Sequence, residues 1–191
     1  MPASDPVPTV PVIVEVFALS VHPGGLAWSV TSAGLPGLVA PDVVARELAA
    51  VQHGAGAGVV LHSTSWRHTG THLIVTYALF PDLRTEGRGP SEDVQEHLVA
   101  GPGPLQPTPE CVAERHVAAH AVRHLADLAA GRDPHVVASS HQLPEHWRLL
   151  HEHARAVHVH HGATPVPALS QDDEERLGAT GVRPWKDVLA I

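Results

Sequence analysis

Residues Val12–Val21 form a nearly continuous run of β-branched and apolar side chains, which predicts a strand. His22-Pro23-Gly24-Gly25 is a turn signal, and Leu26–Thr31 can return as a second strand, giving a hairpin. Ala33–Gly37 reads as a loop. Pro41–Gln52 then changes period: Pro41 suits a first helical position, Asp42 the first turn, and Val44, Leu48 and Val51 recur at helical spacing. Three glycines within His53–Gly58 end that helix.

A second hairpin comes next, with strands Val59–Arg67 and His72–Phe80 and its turn at Thr69-Gly70. Regular alternation places Val60, His62, Thr64 and Trp66 on one face of the first strand, and Leu61, Ser63, Ser65 and Arg67 on the other. The return strand is apolar on both faces, so it belongs in the middle of its sheet. Pro81–Pro109 is a long loop rich in Pro, Gly and acidic residues. Glu110–Ala130 is the strongest helix, with Ala113, Val117, Ala121, Leu125 and Leu128 along one side and Gly131 closing it. Leu143–Val159 is the next. The expected organisation is a flexible arm over 1–11, one α+β domain over 12–161, and a loosely ordered acidic tail over 162–191. In that domain two β-hairpins form a mixed sheet packed by two to three helices.

Composition narrows the chemistry. The formal charge is −8 with no run of Lys or Arg, so recognition of nucleic acid through its phosphates is not expected. Seventeen histidines would reverse that charge if all were protonated. Cys111 is the only cysteine, so an internal disulfide and a thiolate metal cluster are both excluded. The start of the chain lacks the basic and apolar regions of a secretory signal, and Val10–Leu19 is too short and too polar to span a bilayer. A cytoplasmic location with no membrane partner is the expectation.

The order hairpin, helix, hairpin, helix, with Arg46-Glu47-Leu48 on the first helix, resembles the Nudix hydrolase family over roughly residues 10–130. The family's signature is Gly, five residues, Glu, seven residues, Arg-Glu-apolar, one residue, Glu-Glu, one residue, Gly. Its carboxylates hold divalent metals against a diphosphate. In this chain Ala50 and Val51 fall at the paired glutamates, His53 at the closing glycine, Leu38 at the first glutamate and Ser32 at the first glycine. Only Glu47 remains of the metal-binding set. Magnesium requires a cage of hard oxygen ligands, and one glutamate beside Ala49, Ala50 and Val51 does not supply it. The resemblance therefore implies a Nudix-like layout that binds a small anionic ligand without the standard metal-dependent hydrolysis. Arg67, His62 and Glu47 are the candidate ligand-binding residues.

The histidines offer a competing chemistry. His116, His120 and His124 recur at four-residue intervals on the strongest helix, with Asp127 one turn beyond. Neighbouring members of such a series stand about 6 Å apart along the axis and can share a metal, with Asp127 as ligand or orienting partner. Imidazole suits a divalent transition metal such as zinc. His151, His153, His158, His160 and His161 form a second group suited to adventitious metal binding. No HExxH pattern is present. A histidine-based metalloprotein, with hydrolase activity among its options, is the second hypothesis. The third is a non-enzymatic interaction or regulatory module. It would use the acidic tail and the 82–108 loop, with homodimerisation through Trp185, Val188, Leu189 and Ile191 as one form of it.

Overall fold

The computed structural model describes residues 10–52, 58–83, 92–94, 97–100, 112–156 and 158–161. The expected tail over 162–191, Cys111, and most of the arm and of the 81–109 loop lie outside the described residues. The chain divides into two units, Met1–Leu98 with Ala113–Val159, and Val99–Val112 with His160–Ile191. Only a few residues of the second unit are described, and the α+β fold belongs to the first.

The elements are β1 (Val12–His22), β2 (Gly25–Gly34), α1 (Pro41–Gln52), β3 (Val60–Thr69), β4 (His72–Phe80), β5 (Glu92–Asp93), β6 (His97–Ala100), α2 (Glu114–Ala130), α3 (Pro134–Gln142), α4 (Pro144–Ala156) and β7 (His158–His161). The main sheet has the order β3-β4-β1-β2-β5. β1 pairs antiparallel with β2 and parallel with β4, so the sheet is mixed. β6 and β7 straddle the boundary between the two units, and neither belongs to the main sheet.

The sheet is covered on both faces, and alternation along β1 and β4 sorts the side chains between them. Val14, Val16, Ala18, Tyr77 and Leu79 pack with Val44, Ala45 and Ala49 of α1. Phe17, Leu19, Ala78 and Phe80 pack with Val117, Val122 and Leu125 of α2, Val136 of α3, and Trp147 and Leu150 of α4. Cover on both faces explains why Val14–Ser20 is buried without a break. Trp147 meets Phe80 edge to face at 5.1 Å, a favoured aromatic geometry.

The helical region departs from the sequence pattern in three places. First, α2 begins at Glu114, because Ala113 is still extended at φ −84°, ψ 158°. Ala113 has no side-chain acceptor to offer the helix. Its own N–H instead donates to His116 Nδ1 at 3.2 Å, the returning half of a capping box. Second, α3 is an element that periodicity does not reveal. Asp133 caps it, accepting from the N–H groups of His135 and Val136 at 3.0 and 3.1 Å, and Pro134 takes the first helical position. Third, α4 stops at Ala156, and the chain is already a strand at His158. Gly131 is not the left-handed residue that closes α2. That conformation falls to Arg132, at φ 58°, with Arg132 N–H donating to Ala129 and Asp133 N–H to Leu128.

Candidate functional site

β3 is not a regular strand. His62 lies opposite Ala78 and Ser63 opposite Tyr77, but the next partner, Thr76, lies opposite Ser65. Thr64 is the extra residue of a β-bulge. Beyond it every side chain changes face relative to strict alternation. Val60, His62, Ser65 and Arg67 therefore share the face covered by α2, while Leu61, Ser63 and Trp66 point to the α1 side. Strict alternation puts His62 and Arg67 on opposite faces. One inserted residue puts them on the same one.

Arg67 meets Glu15 and Thr76 on that face. Its Nη2 donates to Glu15 Oε2 at 2.8 Å and its Nη1 to Glu15 Oε1, so the pair is two-pronged. Thr76 Oγ1 donates to Glu15 Oε1 at 2.6 Å and accepts from Arg67 Nη1 at 3.1 Å. Glu15 and Thr76 are direct partners in the parallel β1–β4 ladder, and both are buried. The guanidinium of Arg67 is thus committed to a carboxylate inside the sandwich. Glu114, the first residue of α2, adds a second acid to this seam. It keeps part of its surface in solvent, but burial raises its carboxyl pKa, the charges of Glu15 and Glu92 raise it further, and Arg67 pulls it back.

Further along the same face three imidazoles gather. His62 and His124 have ring centroids 5.4 Å apart, and His120 and His124 6.2 Å apart. His62 Nδ1 lies 2.8 Å from the Ser63 carbonyl, and His120 Nε2 lies 3.4 Å from the carbonyl of the bulged Thr64. A carbonyl only accepts, so the ring proton sits on the nitrogen facing it. That assignment leaves the lone pairs on His62 Nε2 and His120 Nδ1. His124 Nε2 is buried with no hydrogen-bond partner. Burial lowers the His124 pKa, His62 and His120 lower it further, and Asp127 opposes them. His124 is therefore neutral at pH 7, with a lone pair to offer. Among the described residues, no group of three or more His, Cys, Asp or Glu side chains could hold a metal ion.

His62 also lines a cleft of about 360 Å³ between the start of β3 and one side of α3. His135, Ser139 and Gln142 form the facing wall, and Gly58–Leu61 the near one. No carboxylate lines it among the described residues. Ser139 bridges the walls: its Oγ donates to the Gly58 carbonyl and accepts from Trp147 Nε1 at 2.8 Å. Gly58 sits at φ +91°, and a Cβ there would stand 3.0 Å from Leu143 and 3.1 Å from Gln142, so only glycine fits.

Of the residues singled out from sequence, the structure brings together His62, His120 and His124. His116 is turned to the helix cap, and Asp127 pairs with Arg123 at 3.7 Å on the outside of α2. Glu47 is exposed on α1, across the sheet from His62, and its neighbour Arg46 pairs with Asp42. Glu15, Thr76, Glu114 and His135 are parts of this region that sequence patterning does not single out. Glu15 carries a signal, since a charge in an otherwise apolar central strand must find a partner. His135 carries one too, since Asp133-Pro134 is a helix start. No family model, curated protein or solved structure matches this chain.

Proposed function

We propose that the chain is a Nudix-like domain that binds a small anionic ligand in the cleft between β3 and α3, without metal-dependent diphosphate hydrolysis. The observation that carries the reading is the electrostatic character of the cleft. In a chain of net charge −8, two imidazoles and an amide line it and none of its described lining residues is a carboxylate. The net negative charge disfavours an anion, and a wall without carboxylates disfavours it less than an acidic wall would. The volume suits a ligand of small-metabolite size. The mixed sheet between α1 and α2 supports the layout. Ala50 and Val51, where the family keeps glutamates, support the loss of hydrolysis. The site assigned to the ligand is not the one the sequence favours, because Arg67 is engaged by Glu15 and Glu47 lies across the sheet.

The test is calorimetric titration of untagged protein with inorganic pyrophosphate and with a nucleoside diphosphate. We expect saturable binding, weakened at least tenfold by His135→Ala and unchanged by Glu47→Gln, with no turnover when magnesium is added. Magnesium-dependent turnover that disappears in Glu47→Gln would overturn the proposal. So would binding indifferent to His135.

A further inference from the structure

The anion assigned to the cleft calls for a positive charge, and Arg67 is held in its pair with Glu15. We infer that His62 and His124 form a proton relay: the two rings share one added proton, and its charge is delivered to the cleft through His62. The inference rests on the cleft reading for the anion, but the sharing of the proton stands on the two rings alone.

The His62 proton is on Nδ1, facing the Ser63 carbonyl, so Nε2 is the nitrogen of that ring that can accept. His124 Nε2 is buried and has no hydrogen-bond partner as the rings stand, an uncommon state for a polar atom. Two imidazoles joined head to head by an N–H···N bond of about 3 Å have centroids roughly 5.2 Å apart. His62 and His124 stand at 5.4 Å, tilted by 46°, so a small rotation about the side-chain bonds lets His124 Nε2 donate to His62 Nε2. His120 is the more distant acceptor, at 6.2 Å from His124. The bond gives the buried nitrogen its partner and leaves one lone pair on the two rings, at His124 Nδ1.

Acid enters at that lone pair. A proton from solvent adds to His124 Nδ1, the proton on His124 Nε2 passes to His62 Nε2, and His124 is left neutral with its hydrogen on Nδ1. One proton enters, none is lost, and the charge ends on His62, which lines the cleft. Burial disfavours an imidazolium on His124, His62 and His120 act in the same direction, and Asp127 opposes them, so the charge is better placed on His62. A second proton would set two like charges with ring centres 5.4 Å apart, so the pair holds one. Around the pair, β4 places Ala78 opposite His62, and α4 meets the core through Trp147, Leu150 and Ala154, which carry no charge. Glu15, on the same face of the sheet, is held by Arg67, and Arg123 is paired with Asp127. His120 is exposed beside His124, and His135 stands on the opposite wall of the cleft.

The test follows the imidazole nitrogens of the untagged, nitrogen-15-labelled protein by NMR as pH falls from about 8 to about 5, the range around the ordinary histidine value. We expect the His62 and His124 nitrogens to change together and to level off at one added proton between them. In His124→Asn, His62 should instead take up a full proton of its own. Sulfate, which keeps its charge throughout, then probes the cleft by calorimetry. Its affinity should rise at least tenfold from pH 8 to pH 6 in the wild type and less than threefold in His62→Asn, with amide spectra checking that both variants remain folded. Two rings that each take a full proton, with midpoints unmoved by loss of the other, would overturn the inference without any anion present, and the cleft reading would stand to its own test. A shared proton beside a sulfate affinity indifferent to pH would overturn it as well. Rings that share the proton in a protein that binds no sulfate at any pH would sink the cleft reading and leave the relay in place.

Discussion

Arg67 and Glu15 are 52 positions apart in the chain and meet as a two-pronged ion pair, with side chains only 18% and 7% exposed. The pair spans the sheet from β3 to β1, and Thr76 on the intervening strand β4 bonds to both partners. A carboxylate enclosed this way is tolerable only while its partner is present. Arg67→Ala should destabilise the fold by roughly 3–5 kcal/mol, the usual result of stranding one buried charge. Replacing both residues with methionine should recover much of that loss. Urea denaturation of the two variants measures this, and an Arg67→Ala loss below about 1 kcal/mol would mean that Glu15 reaches water or a proton when its partner is gone.

That relationship also marks the limit of what the sequence discloses. β1 to β4, α1 and most of α2 are legible because their apolar positions follow periods of two or 3.6. The face on which Arg67 lies is not legible, because a bulge is a statement about pairing partners, and Thr64 looks like any other strand residue. The approach of His62 to α2 is hidden for another reason: His62 precedes the bulge, and which helix covers a strand face is not written in the strand's own period. His120 and His124 are legible as a helical pair, but their third companion sits 58 positions upstream of His120, on a strand rather than the helix. The Asp133-Pro134 cap is the signal that discloses α3 and, with it, one wall of the cleft.

The bulge predicts an asymmetry between two deletions. Removing Thr64 restores regular pairing and leaves Arg67 opposite Ile74 on the α2 face, so the sheet should survive with Glu15 still paired. The loss is confined to the hydrogen bonds of Thr64, to Thr76 by its side chain and to His120 by its carbonyl. Removing Trp66 instead shifts Arg67 by one position and turns it to the other face. Thermal denaturation should show a modest drop for the first deletion and loss of cooperative unfolding for the second. Comparable damage from both would mean the face of Arg67 is not what the register protects.

Glu114 predicts a pH dependence with a definite sign. Its pKa is raised in the folded protein above the ordinary 4.5, so between those two values the folded state holds more protons than the unfolded chain. Stability then falls as pH rises through that interval, and the deficit is complete above it. Glu114→Gln removes the titration. Measured by urea unfolding, the stability of the wild type relative to the variant should decline as pH rises from the ordinary 4.5 through the raised folded-state pKa. A relative stability that rises with pH would place Glu114 in a setting that favours its charge.

The Ser139 hydroxyl holds together the region where cleft and core meet, and its removal separates two roles. Ser139→Ala strands the Trp147 indole N–H, in a residue only 2% exposed, and also frees the Gly58 carbonyl. A buried donor without an acceptor costs about 1–3 kcal/mol. Trp147→Phe alone removes the donor but leaves a gap where the larger ring packed against Phe80. If the hydrogen bond is the link between them, Trp147→Phe should be less damaging in the Ser139→Ala background than in the wild type, because the stranded donor disappears with the indole. The double-mutant cycle should therefore give a coupling of about 1 kcal/mol, read from denaturation midpoints. Strictly additive losses would assign Ser139 to the Gly58 carbonyl instead. The cleft wall would then be held from β3, and Ser139→Ala would weaken pyrophosphate binding without loosening the core.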